Sequence, residues 1–454
     1  MGFKVRGFAD LVATSLVVMG FAVGSLAHAV GSPVHADAPL RVQTAGDGLI
    51  RHLANLVSEA DAPVRQVLAA QVVASVAEAV RTHPEFAAAT AQLGYGHEAV
   101  KAAEAGWWPQ IYGNSSVGKR RVDGLTRNSP TLGLGANQLL YDFGAVSAQV
   151  GAAEAGVKAA GAALDAKRSA LAMRAMTAWH ELYRARKQLE LQRLNVSSRR
   201  EIAEFIKERA DLGGSSMSDV LRARARQMEA EASVALAEAR VQSAEAAWRE
   251  AFGQTAPAQV EIAAALSPGK YRDRVSELAR RFAAVDEKFL QAAGLRAEAQ
   301  AANAAKLPRL SLDVSTTREI DSRTPADQAA LLVVKYNFYT GGAETARAAQ
   351  AQAKAAQAEA DAQNELRQTE KALLQAIAEV ESAPLTLSAR KQAVTVAGDS
   401  LEAVREQFAF RRGTLLDLLR AQEDVYYAGR DLIDALTDSA LASYRLRYLA
   451  SELK

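Results

Sequence analysis

No proline occurs between Gly144 and Thr255, and an apolar seam of heptad spacing runs through this stretch. Leu171, Ala175, Ala178, Leu182, Ala185, Leu189, Gln192, Val196, Arg199, Ala203 and Ile206 alternate steps of four and three, with polar breaks at Gln192 and Arg199. The pattern predicts a long helix, a turn at Gly213-Gly214-Ser215-Ser216 and a returning helix. At 1.5 Å per residue the first arm is about 100 Å long. An arm of that length cannot bury itself in an ordinary globular core, so it must lie along partners of similar length.

The stretch occurs twice. Adding 198 to each seam position returns Thr369, Leu373, Ala376, Val380, Ala383, Leu387, Arg390, Val394, Ala397, Leu401 and Val404. Gly144 maps to Gly342, Tyr141 to Tyr339 and Asp219 to Asp417. Each copy therefore implies one structural unit stacked beside the other. Pro384 falls inside the second arm and predicts a kink or an interruption there.

Before each arm the period changes to two. Leu310, Leu312, Val314 and Thr316 alternate with Ser311, Asp313, Ser315 and Thr317; Leu332, Val334, Tyr336 and Phe338 alternate with Val333, Lys335 and Asn337. The first copy shows a weaker version in Ile111, Gly113, Ser115 and Val117, with Leu132, Leu134 and Ala136 on the return. Strands are predicted at about 110–120, 130–141, 308–317 and 328–339, long enough to cross a bilayer when tilted. Four strands cannot close a barrel, and open edges do not survive in lipid, so a membrane role requires several chains. A soluble hairpin packed on helices is the competing reading. Trp107, Trp108, Tyr141, Phe143, Tyr336, Phe338 and Tyr339 all fall at the helix-proximal ends, as an interfacial girdle would.

The parts order as follows. Residues 1–29 read as a signal peptide, with Ala27-His28-Ala29 as cleavage site and Val34-His35-Ala36 as a second candidate. Residues 30–64 read as a flexible lead, 65–252 as repeat 1, 253–272 as an equatorial linker and 273–454 as repeat 2. The helical hairpins occupy 144–252 and 342–453. The absence of cysteine excludes disulfides, thiolate metal sites and an N-terminal lipid anchor on Cys. A net charge of +2, with acids and bases interleaved, gives no concentrated basic face for nucleic acid. The six histidines form no compact metal pattern, and no phosphate loop or nucleophile elbow is present, so neither cofactor nor catalytic constellation is expected. Asp219 and Asp417 sit just beyond the two turns. They read either as helix N-terminal carboxylates or as parts of a ring around a mouth.

The duplicated order of helix, Pro, strand, strand, Gly, long helix, turn and helix resembles the TolC family of outer-membrane channels. His83-Pro84-Glu85, the junctions LLYDFGA and YNFYTGGA, and the tips GGSSMSDVLRARA and RRGTLLDLLRAQ carry the likeness from about residue 70 onward. The resemblance implies an α+β membrane protein. Three chains would pool their strands into a twelve-stranded β-barrel in the outer membrane of a Gram-negative bacterium. Their helices would form a periplasmic tunnel, working with a periplasmic adaptor and an inner-membrane ABC or proton-driven transporter. It further implies an entrance at the tips, lined or locked by Asp219, Asp417, Arg420, Arg412 and Phe408 around the turn glycines Gly213, Gly214 and Gly413. Phe408 stands where the family's aromatic position falls and carries no hydroxyl. The family's tip arginine falls on Gly413, and one of its acidic positions on Arg420. The lock is thus expected to be rearranged, pairing Arg420 or Arg412 with Asp219 or Asp417. The expected cargo is protein, in type I secretion, with small-molecule efflux as the alternative. An adaptor would show one hairpin flanked by a β-domain, and a coiled-coil scaffold would need no strands.

Overall fold

The computed structural model describes residues 46–61, 66–122, 125–128, 130–262, 271–320 and 325–453. The expected signal peptide, most of the lead, part of the linker and parts of both strand connections lie outside the described residues. The helices are α1 (Asp47–Asp61), α2 (Gln66–Thr82), α3 (Pro84–Glu104), α4 (Ala145–Asp211), α5 (Met217–Phe252), α6 (Val275–Arg281), α7 (Ala283–Ala304), α8 (Ala343–Ala409) and α9 (Leu415–Leu449). The strands are β1 (Gln110–Ser116), β2 (Lys119–Val122), β3 (Leu125–Asn128), β4 (Thr131–Tyr141), β5 (Arg309–Glu319) and β6 (Asp327–Lys335).

The duplication is visible in the long helices: α4 and α8 have 67 residues each, about 100 Å of helix. Helix α4 packs along α5, α7, α3 and α9, and α8 packs along α9 and α7. Of the first seam, Leu171, Ala175, Ala178, Leu182, Ala185, Gln192, Arg199 and Ile206 are buried. The second seam buries Thr369, Leu373, Ala376, Val380, Val394 and Leu401, but opens between them, where Ala383 is half-buried and Arg390 exposed. Pro384 lies in this open stretch, and α8 runs through it without interruption. The proline ring and its missing N–H are tolerated where the helix is solvated on that side.

Three apolar clusters hold the bundle. One joins α1, α4, α8 and α9 through Leu53, Leu191, Ile202, Leu401, Leu418 and Val425. A second packs Val76, Met176, Leu182, Trp248 and Tyr444. The third packs Leu278, Phe282, Leu373, Ile377 and Leu446. The pair Phe205 and Phe408, with ring centroids 6.3 Å apart, closes the first cluster near the tips.

Part of the expected flexible lead is a helix. In α1, Leu49, Leu53 and Leu56 repeat at heptad spacing and are fully buried against the bundle. Gly429 on α9 admits it: a methyl there would overlap Leu53 and crowd Leu191. Arg405, itself buried, holds the start of α1 through Asp47 at 3.1 Å.

The four long strands form one antiparallel sheet in the order β1-β4-β5-β6. Leu134 faces Gly113 and Thr316, and Leu312 faces Gln138 and Leu332. A bulge falls between Leu139 and Tyr141. The first connection carries a further antiparallel ribbon, β2 with β3, from Lys119↔Asn128 to Val122↔Leu125. Its sequence has no apolar alternation to announce it. Among the described residues no helix is long and apolar enough to cross a membrane.

Candidate functional site

Two regions at opposite ends of the long helices carry the unusual chemistry. At the sheet, register places Ile111, Leu132, Leu134, Leu312, Val314, Leu332 and Val334 on one face, and all are exposed in the single chain. The other face carries Asn114, Asn137, Asp313, Ser315 and Thr317. It also has two close approaches: the Tyr112 ring lies over Gly135, and the Asn114 side chain over Gly133, where a Cβ would overlap them. Leu331 and Val333 of β6 share that second face, but one apolar and one mainly polar face is the pattern of a barrel wall between lipid and a wet lumen. Among the described residues of one chain the outer edges of β1 and β6 have no partner strand.

Below the sheet, the sequence-predicted aromatics are exposed together. Trp108 is 69%, Tyr141 56%, Phe338 90% and Tyr339 87% accessible, and Trp107, Phe143 and Tyr336 are also open. Tyr141 packs edge-on against Phe143, and Tyr336 against Phe338, one such pair beside each strand-to-helix junction. Asp142 fixes the turn into α4 by accepting from the backbone N–H groups of Gly144 at 3.0 Å and Val146 at 2.7 Å.

At the far end, both tips are built alike. Gly213 takes a left-handed conformation, with φ +74°. The Gly214 N–H donates to the Arg209 carbonyl, and Arg209 Nε returns a bond to the Gly214 carbonyl. Ser216 then caps α5: its Oγ accepts from the Asp219 N–H, and the Asp219 carboxylate accepts from the Ser216 hydroxyl. Thr414 and Asp417 repeat this reciprocal cap on α9. The Thr414 bonds, with Arg420 nearby, hold the Asp417 carboxyl below its ordinary range. Gly413 sits tight against the Phe408 and Gln407 backbone.

Within one chain the two aspartates are therefore capping residues. Asp219 has an ion-pair contact with Arg222 at 3.7 Å. Among the described residues, neither Arg412 nor Arg420 pairs with Asp219 or Asp417 inside the chain. Phe408 is buried and faces inward on the bundle. The Arg209 guanidinium lies 5.2 Å from the Phe408 ring centroid and so connects the two tips. Sequence reasoning passed over Arg209, Ser216 and Thr414. The spacings Ser-x-x-Asp and Thr-x-x-Asp were the available signal for the last two.

The His83-Pro84-Glu85 motif starts α3 and clamps it to α4. His83 Nδ1 accepts from the Glu85 N–H, and Glu85 binds Lys167 at 3.0 Å and Arg174 at 2.7 Å. These two cations hold the Glu85 carboxyl at about 2. Arg174 also reaches Glu250, so the His83, Glu85 and Glu250 cluster has its carboxylates answered by protein cations.

Comparison with known proteins agrees with this geometry. Residues 76–254 match the family described as outer membrane efflux protein. The outer membrane efflux protein BepC of Brucella suis is 26% identical over 359 residues, covering 77% of this chain and 78% of that protein. The chain is similar to the TolC family of outer-membrane channels. The outer membrane protein TolC of Vibrio cholerae is likewise 26% identical, over 82% of this chain and 88% of its own length. The solved structure of VceC from Vibrio cholerae superposes with a TM-score of 0.75 at 20% identity, covering 84% of this chain and 96% of that one. The chain thus has the fold of the trimeric barrel-and-tunnel channels, for which the homotrimer is typical. It is an outer-membrane component of tripartite efflux systems in Gram-negative bacteria, and not an enzyme. Proteins of this family work with an adaptor and an inner-membrane transporter.

Proposed function

We propose that three copies of the chain form a passive exit duct, resting closed at the tips and opened by an adaptor. The observation that carries this reading is the exposed apolar face of a four-stranded sheet whose outer edges are unpaired among the described residues. Such edges need partner strands, and three copies supply twelve. The tips would meet around the threefold axis at the other end. Asp219 and Asp417 from each chain then form a ring of carboxylates that favours cations. The expected pairing of Arg412 or Arg420 with Asp219 or Asp417, not formed within one chain, would form between chains.

The cargo expected from the sequence was polypeptide, in type I secretion. The family description and the name of the Brucella relative speak of efflux, which favours small molecules. A deletion strain separates the two: small-molecule efflux predicts increased sensitivity to toxic compounds with extracellular protein unchanged. Type I secretion predicts loss of one or a few extracellular proteins.

The duct itself is tested with detergent-purified protein whose mass is measured in the same preparation. The expected result is a trimer giving small, cation-preferring currents in a planar bilayer. Those currents should grow when Arg420 or Asp417 is replaced by alanine. A monomer that stays soluble without detergent and gives no current would overturn the reading.

A further inference from the structure

Midway along the hairpins, α4 forms the floor of a groove whose walls are α5 and α9. The groove holds a cavity of about 230 Å³, far more than the ~10–15 Å³ that a single water takes. Its floor is polar where a coiled-coil seam should be apolar. Gln192 and Arg199 are the two breaks in the first seam, and Asn195 lies between them. The three are 3%, 5% and 6% accessible.

These groups are buried without full satisfaction. Gln192 Nε2 donates to the Ala230 carbonyl at 2.9 Å, which fixes its amide and leaves Oε1 without a donor. Asn195 Oδ1 also lacks a donor, and Arg199 Nη1 lacks an acceptor. Glu423 and Glu229 bias the local field toward Arg199, but among the described residues neither forms an ion pair with it. Glu229 is instead bound to Arg226 at 2.8 Å. Burial pushes the Arg199 pKa down, the signature of a charge taken from water without a matched partner. An unpaired buried guanidinium and two unpaired buried carbonyl oxygens are each costly.

The walls add more cations. Arg226 and Arg240 come from α5 and Arg430 from α9, so four arginines face two glutamates around one cavity. Arg430 lies 4.9 Å from the Tyr427 ring centroid and binds Asp431, which orients it along the wall. The surplus is positive, and the open acceptors beside it require a donor. A simple anion answers only the first need. A molecule carrying both carboxylate and hydroxyl answers both.

We propose that this cavity is a binding site for a small hydroxycarboxylate, its carboxylate held by Arg199 and the wall arginines and its hydroxyl donating to Gln192 Oε1 or Asn195 Oδ1. An occupied site ties α4, α5 and α9 together, coupling the first hairpin to the second. The site does not depend on which cargo the channel carries.

The test uses full-length protein purified in detergent, with tartrate and succinate as probes at matched ionic strength. The two diacids share a carbon skeleton and differ in hydroxyls. Calorimetry should show saturable tartrate binding at one site per chain, with a rise in melting temperature. Succinate should bind at least about tenfold more weakly, because the amide oxygens stay without donors. Arg199→Met should abolish the tartrate response and raise the melting temperature without ligand, as expected when an unpaired buried charge is replaced by an apolar chain. Arg240 is exposed, so Arg240→Gln should fold normally and weaken tartrate about fivefold or more. Absence of saturable tartrate binding, equal binding of tartrate and succinate, or an undiminished response in Arg240→Gln would each overturn the proposal.

Discussion

At the residue scale, the duplication preserves backbone more faithfully than side chains. Phe143 and Gly341 are equivalent positions, and both take positive φ, +56° and +66°. Gly213 and Arg411 are equivalent at the tips, with φ +74° and +58°. In each pair one copy holds glycine and the other a residue that pays the left-handed cost through its Cβ. That conformation was not legible at Phe143 or Arg411 from either residue alone. It becomes legible once the two copies are aligned, because the glycine in one reports the backbone of the other. The tip with Arg411 should therefore be relieved by Arg411→Gly, whereas Gly213→Ala should strain the first tip. The expected changes are a stabilisation of about 0.5–1 kcal/mol and a loss of about 1 kcal/mol. Chemical denaturation of the trimer, followed by a probe at the tip, reads both. A destabilising Arg411→Gly would mean that the Arg411 side chain makes contacts in the assembly that outweigh the backbone strain.

At the scale of elements, the long helices were readable because their signal repeats over many turns. Heptad spacing, the absence of proline and the two turns placed α4, α5, α8 and α9. Helix α1 was not read from the sequence, although Leu49, Leu53 and Leu56 have helical spacing. It is one short amphipathic segment between Gly46 and Pro63, and isolated helices of this length are marginal in water. Its stability comes from a groove on α4, α8 and α9 that only the folded bundle supplies. Leu53→Ala should accordingly act locally. Removing a 2% accessible leucine costs about 2–5 kcal/mol, more than a peripheral helix of this size can lose. Hydrogen exchange across residues 47–58 should accelerate about thirtyfold or more, while α4 and α9 keep their protection away from the contact. Unchanged exchange in α1 would show that Arg405 and Asp47, rather than the leucine face, hold it. The polar floor beneath the α5 and α9 groove was half legible. Gln192 and Arg199 stood out as breaks in the seam, but the arginines of the walls converge on them only through the packing of α5 and α9 on α4.

At the scale of the whole molecule, the sheet decides whether the chain can live alone. Asp313 and Leu332 make the argument at one depth. Leu312 pairs with Leu332, and Asp313 with Leu331, so a carboxylate and an exposed leucine lie at neighbouring rungs of the same ladder. Asp313 projects to the polar face with Asn137, and Leu332, 65% accessible, to the apolar one. If the polar face lines a wet lumen and the apolar face meets lipid, the two positions must respond oppositely to the same added charge. Leu332→Arg places a cation in hydrocarbon near mid-sheet, at a cost of about 2–4 kcal/mol for each chain. Three such costs in one assembly should remove the trimer from the outer-membrane fraction. Asp313→Arg changes the sign of a charge that already faces water, so the trimer should persist, with its ion preference shifted away from cations. Trimer content, read on unheated gels of outer membranes, separates the two faces. Equal loss in both variants would contradict a lumen on the Asp313 side, and equal retention would contradict lipid on the Leu332 side.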